Sequence, residues 1–140
     1  MTEVIPRKPP LPVAQTFLTC HEIFYDQQKC MNIIIGPISH VSVKQFPTHV
    51  RLSVFTEFSG CHGSYLPRLM LRDAADEVVW GWTVPKPFVQ EHPLAVHRHV
   101  FADLMLAVPR PGRYVLVLQL NDEEVAQRRL GFGLLEADRP

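Results

Sequence analysis

The chain has 140 residues, of which 46% are hydrophobic and 20% charged, with fourteen basic residues balanced by fourteen acidic ones. A chain of that size buries roughly two-thirds of its unfolded surface, so a single domain can hold together without disulfides or metals. The formal net charge of zero argues against non-specific nucleic-acid or membrane-surface binding, which draws on a positive field. It also leaves no charge repulsion to oppose self-association.

The opening residues, MTEVIPRKPPLPV, lack the apolar stretch of a secretory signal, and no run approaches the ~20 apolar residues of a membrane span. Cys20, Cys30 and Cys61 make an odd count with no CxxC spacing, which reads as reduced thiols in a cytoplasmic protein. Residues 1–13 form a proline-rich arm, because Pro6, Pro9, Pro10 and Pro12 favour a polyproline II path over a central strand. Such an arm crosses the surface of its own domain, the simpler expectation, or packs on a neighbouring subunit. The domain proper is expected over 14–134, with 135–140 as a tail.

Thirteen prolines and seven glycines punctuate runs rich in Val, Ile, Leu, Phe and Thr, and no segment sustains the apolar period of a long helix. Strands are expected at about 15–25, 30–35, 39–45, 49–58, 65–73, 77–83, 95–106, 113–120 and 124–132. In the fourth, Val50, Leu52, Val54 and Phe58 alternate with Arg51, Ser53, Glu57 and Ser59, as in a strand with one wet face. RDAADE at 72–77 reads as the polar loop of a hairpin. Tyr114, Leu116, Leu118 and Leu120 form an apolar stripe, and Val115 and Val117 make the other face apolar too, so that strand is expected to be covered on both sides. EEVAQRRL, 123–130, has helix-friendly composition but follows Asn121-Asp122, which is hairpin-turn chemistry. The expected fold is an all-β, antiparallel immunoglobulin-like β-sandwich of about 8–9 strands with little or no helix.

Three local features occur in a fixed order. FLTCHEIFYDQQKCMNIIIG has a strand carrying Cys20, a polar turn, then an aliphatic strand closed by Gly36. QFP, with Pro47, precedes the strand HVRLSVF, and VPRPGRYVLVLQLNDEEVAQRRL opens a late hairpin through Pro109, Pro111, Gly112 and Tyr114. This layout resembles a bacterial domain-of-unknown-function family of short proteins over about residues 17–132. The resemblance implies a single immunoglobulin-like sandwich with no assigned activity and no catalytic residues to carry over.

Candidate sites are few. His97 and His99, two apart in LAVHRHVF, share a face on a strand and could supply two zinc donors, with Asp103, His62 or Cys61 as a third. No donor spacing here matches a zinc pattern. Val96, Val100, Leu104 and Leu106 suggest that the core lies on the opposite face, so the histidines are expected to be solvent-facing or rim residues, with no metal. Trp80 and Trp82 share a face in VVWGWTV. They read as a core stripe with Val78, or alternatively as exposed indoles that stack on a sugar or another small ligand. Ser39, Ser53 and Ser64 lie in no nucleophile-elbow motif, there is no glycine-rich phosphate loop, and the carboxylate pairs sit in expected hairpin loops.

The sequence therefore points to a non-catalytic module for protein–protein interaction or assembly. The expected partner is another protein or a second copy of the chain in a dimer, with no nucleic acid, membrane or cofactor involved. The alternative is a small-ligand or carbohydrate-binding module using Trp80 and Trp82. A metal-binding protein using His97 and His99 stands behind that.

Overall fold

The computed structural model describes residues 8–136. Its elements follow the punctuation of the sequence: β1 (Val13–Asp26), β2 (Met31–Pro37), β3 (His40–Val43), β4 (Thr48–Ser59), β5 (Gly63–Tyr65), β6 (Pro67–Arg72), β7 (Val78–Thr83), β8 (Phe88–Gln90), β9 (His97–Val108), β10 (Gly112–Leu120) and β11 (Glu123–Leu134). The described residues contain no helix long and apolar enough to cross a membrane.

A four-stranded sheet in the order β2-β1-β4-β9 packs on a five-stranded sheet in the order β3-β11-β10-β6-β7, and β5 and β8 make a short third ladder. The fold is thus an all-β sandwich, with eleven strands where about nine were expected. The two additions, β5 and β8, are three residues each, too short to show a two-residue alternation against their Pro- and Gly-rich surroundings. One pairing, β3 with β11, is parallel, and the other pairings are antiparallel.

The core lies where the stripes predict. Val50, Leu52, Val54 and Phe58 of β4 are buried with Leu69 and Leu71 of β6, the Tyr114–Leu120 stripe of β10, and Leu130 and Phe132 of β11. Val117, on the opposite face of β10, is fully buried as well. The turns are set by side chains. Asn121 and Asp122 both take positive φ, 53° and 66°, as a two-residue primed turn requires. Asp73 accepts the N–H groups of Ala75 and Glu77, each at 2.9 Å, and pairs with Arg110. The Glu77 N–H, followed by that of Ala75 and the Arg110 charge, holds the Asp73 carboxyl below the usual carboxylate range against the opposing effect of burial. The Tyr114 hydroxyl donates to the Arg110 carbonyl at 2.6 Å, tying the Pro-Gly entry to the strand it opens in the manner of a tyrosine corner.

The described part of the arm lies on its own domain. Tyr65 donates its hydroxyl proton to the Pro10 carbonyl at 2.7 Å, Lys8 pairs with Glu123, and Pro9 abuts Gly63. The rest of the expected arm, 1–7, and residues 137–140 of the expected tail lie outside the described residues.

Candidate functional site

His97 and His99 are half-buried, on the inner face of the sheet and not on the outer one that their neighbours suggest. In the β4–β9 register His97 sits opposite Phe58, His99 opposite Thr56 and Phe101 opposite Val54, all on the inner face. The register then shifts between Leu52 and Val54, where Ala102 and Asp103 together oppose Ser53. Asp103 takes φ +55° there, and its N–H donates to the Ser53 hydroxyl at 3.0 Å. This bulge inserts one residue, so inward positions are odd-numbered before it and even-numbered after it. Alternation carried straight back from Leu104 and Leu106 therefore assigns the wrong face to His97 and His99.

Both imidazoles are half-buried against an aromatic cluster at one end of the sandwich. Phe88 of β8 stacks on His97 with ring centroids 3.8 Å apart and on Tyr65 at 5.4 Å, and His99 meets Phe101 edge-on at 4.6 Å. Burial pushes both histidines below their ordinary value, and at His99 repulsion from His97 adds to it. Cys61 is fully buried in the core, and burial raises its thiol. His62 is exposed, with its N–H donating to the Tyr65 hydroxyl. Asp103, expected on the histidine face, turns outward and is bound by Arg51. Among the described residues, no three His, Cys, Asp or Glu side chains are grouped as a metal site would need.

The tryptophans divide. Trp80 and Trp82 lie opposite Leu71 and Leu69, so both are on the inner face of the five-stranded sheet. But β7 is its edge strand, and only Trp80 packs against the core. Trp82 is 44% exposed and Val78 51%, which corrects the expected three-residue core stripe. Facing β7 is β9, the edge of the other sheet. Between the two runs a cleft of about 540 Å³ lined by Trp80, Trp82, Val84, Phe101, Leu104 and Met105, among others.

Sequence reading did not single out one bare apolar surface. β1 pairs with β4 only from Val13 to Cys20, then continues to Asp26 while pairing with β2 alone. Past Cys20 it leaves the sandwich as a two-stranded ribbon. Phe24 and Ile33 are cross-strand partners on one face, where Met31 and Ile35 also lie, and Ile23, Tyr25 and Ile34 share the other. Phe24, Tyr25, Met31 and Ile35 are exposed by 45%, 57%, 48% and 43%. The ribbon turn is secured by the Asp26 carboxylate, which accepts the N–H groups of Gln28 and Lys29. A signal was present: IFY at 23–25 and III at 33–35 are apolar at consecutive positions, so both faces of this hairpin had to find cover.

No curated protein matches the chain. A family model does, over residues 15–132, and that span holds the ribbon, both sheets, the cleft and the histidine cluster. By that match the chain belongs to the family of unknown function DUF6941.

Proposed function

We propose that the chain is a non-catalytic interaction module that self-associates as a dimer through the β1–β2 ribbon. The observation that carries this reading is the ribbon's apolar side chains on both faces, beyond the reach of either sheet. Isolated two-stranded hairpins are marginal in water, and an edge strand with free N–H and C=O groups is a template for another chain. β2 is such an edge, hydrogen-bonded to β1 alone. Pairing two β2 edges, or stacking two ribbon faces, would cover both liabilities at once. Three unpaired thiols, two of them buried, support a reducing, cytoplasmic setting. The two packed sheets and the tyrosine corner at Tyr114 support an immunoglobulin-like reading of the sandwich, and the bacterial one rests on the order of the three sequence features alone.

The test is the mass of the full chain at tens of micromolar by light scattering, for wild type and for Phe24→Ser/Ile35→Ser. A wild-type dimer and a folded monomeric variant are expected. A wild-type mass of one chain would overturn the reading.

The Trp80–Trp82 cleft supports a second reading, a small-ligand or carbohydrate-binding module. Trp82 presents an indole face beside Met105 at an open rim, the kind of platform on which a sugar ring stacks. Quenching or a shift of tryptophan fluorescence on titration with neutral oligosaccharides, lost in Trp82→Ala, is the result that reading requires.

A further inference from the structure

The outer faces of the two sheets treat their arginines differently. On the four-stranded sheet Arg51 gives two N–H donors to Asp103, at 3.2 and 2.8 Å, and Arg98 pairs with Glu57 at 2.8 Å. Elsewhere Arg110 is held by Asp73, and Arg128, turned inward, donates to the Thr19 hydroxyl and the Phe17 carbonyl. On the five-stranded sheet Arg68 and Arg72 of β6, Arg113 of β10 and Arg129 of β11 share the outer face, because they alternate with core residues in register. Arg72 reaches Asp76 at 3.7 Å, a carboxylate 82% exposed. No ion pair among the described residues involves Arg68, Arg113 or Arg129.

The same face carries Glu124 opposite Gln119, and the Glu124 carboxylate accepts from the Gln127 side-chain amide at 2.7 Å. The imidazole of His40 lies over Gly131 and Gly133, where a Cβ would come within 2.7 and 3.4 Å of its nitrogens. The Arg68 guanidinium lies 4.0 Å from where a Cβ of Gly81 would stand. Met70 and Val117 point away from the core yet are 5% and 0% exposed. Arg68 and Arg72 flank Met70 on β6 and, with Arg129, lie diagonal to Val117, and arginine stems can cover an aliphatic floor while the charged heads stay in water.

We infer that this face docks an acidic, extended segment of a partner protein. Unpaired guanidinium groups recognise carboxylates through charge-assisted, bidentate hydrogen bonds. Their spacing suits an extended chain. Arg68 and Arg72 stand roughly 13 Å apart along β6, the distance between same-face side chains four residues apart on a strand. Arg72 and Arg129 flank β10 at two strand spacings, roughly 10 Å. Among the described residues the face carries no Phe, Tyr or Trp, so it lacks the stacking platform on which single-stranded nucleic acids depend. This surface is separate from the ribbon and does not require dimerisation.

The probe is a fluorescein-labelled eight-residue peptide of alternating Glu and Leu, titrated with the full chain at low and physiological salt and read by fluorescence anisotropy. Saturable, salt-weakened binding is expected, reduced at least tenfold in Arg72→Gln/Arg129→Gln and in Arg68→Gln/Arg113→Gln. Arg51→Gln/Arg98→Gln removes the same charge from the other sheet and should leave affinity within twofold. Circular dichroism confirms that each variant is folded, and the two independent double variants guard against the loss of either one. Absence of binding, or equal losses in all three variants, would overturn the proposal. So would tighter binding of a single-stranded oligonucleotide of matched charge, which would reassign the face to nucleic acid.

Discussion

The chain builds two long hairpins, β1–β2 and β10–β11, from similar material, and they end in opposite circumstances. Each joins two strands through a polar turn, and in each the strands carry apolar residues on both faces. β10 lies between β11 and β6 in the middle of a five-stranded sheet. Its Leu116 and Leu118 are fully buried in the core, and Val117 is fully buried on the outer face. β1 pairs with β4 up to Cys20 and with β2 from there on, so only around Cys20 does it have a neighbour on each side. Beyond that point identical side-chain chemistry is left in water. The neighbours, not the strands themselves, decide which apolar surface becomes core and which is left exposed.

The sharpest way to break this comparison is to truncate one aliphatic residue in each hairpin. Leu116→Ala should destabilise the fold by about 2–5 kcal/mol, because it removes buried methyl groups and leaves a cavity between two sheets. Ile35→Ala should cost roughly 0.5 kcal/mol or less in the monomer, since its site is already wet. Urea denaturation of both variants, at a concentration too low for association, checks the contrast. Equal losses would mean that the ribbon is packed as firmly as the core.

A smaller effect sharpens the same contrast at the strand entries. β10 is entered through a fixed corner, with the Tyr114 hydroxyl donating to the Arg110 carbonyl. Tyr114→Phe keeps the ring that meets Phe132 edge-on at 5.4 Å and loses only that bond. The expected cost is about 1 kcal/mol, read from the denaturation midpoint with an unchanged slope. A neutral result would show that ring packing alone fixes the corner.

Much of this architecture was legible in the residues. The β4 stripe, the primed turn at Asn121-Asp122 and the Asp73 loop all rest on local chemistry, and local chemistry is what a sequence displays. The bulge at Ala102–Asp103 was not legible, because its cause is a contact with Ser53, which lies fifty residues away in the chain. That one inserted residue reversed the facing of His97 and His99. Trp82 illustrates a second limit. Its alternation with Gly81 correctly gives the inner face, but whether an inner face is covered depends on strand order, and β7 is an edge. The ribbon belongs to the same class. Its two apolar faces were visible in the letters, while the departure of β1 from β4 was not. The arginine asymmetry likewise needs the register of three strands before four scattered residues become one surface.

The smallest expected effect concerns pH, and it tests whether the ribbon contributes to the fold at all. Burial favours the neutral form of His97 and His99 in the folded chain, placing both below the ordinary value of 6.5, with repulsion from His97 adding to the effect at His99. The unfolded chain binds those protons more readily, so unfolding takes up protons as pH falls below about 6.5. Their contribution is therefore complete above that value and declines through the window beneath it, as the folded-state values are approached. Melting temperatures measured between pH 7.5 and 5 should fall on acidification. His99→Gln removes one titrating group from the aromatic cluster and should flatten that slope, even if it lowers stability at every pH. Phe24→Ser/Ile35→Ser changes only the ribbon, so it should reproduce the wild-type slope. A slope altered by the ribbon variant and untouched by His99→Gln would place the pH-sensitive contacts in β1–β2, and the ribbon would then be part of the fold and not surplus surface.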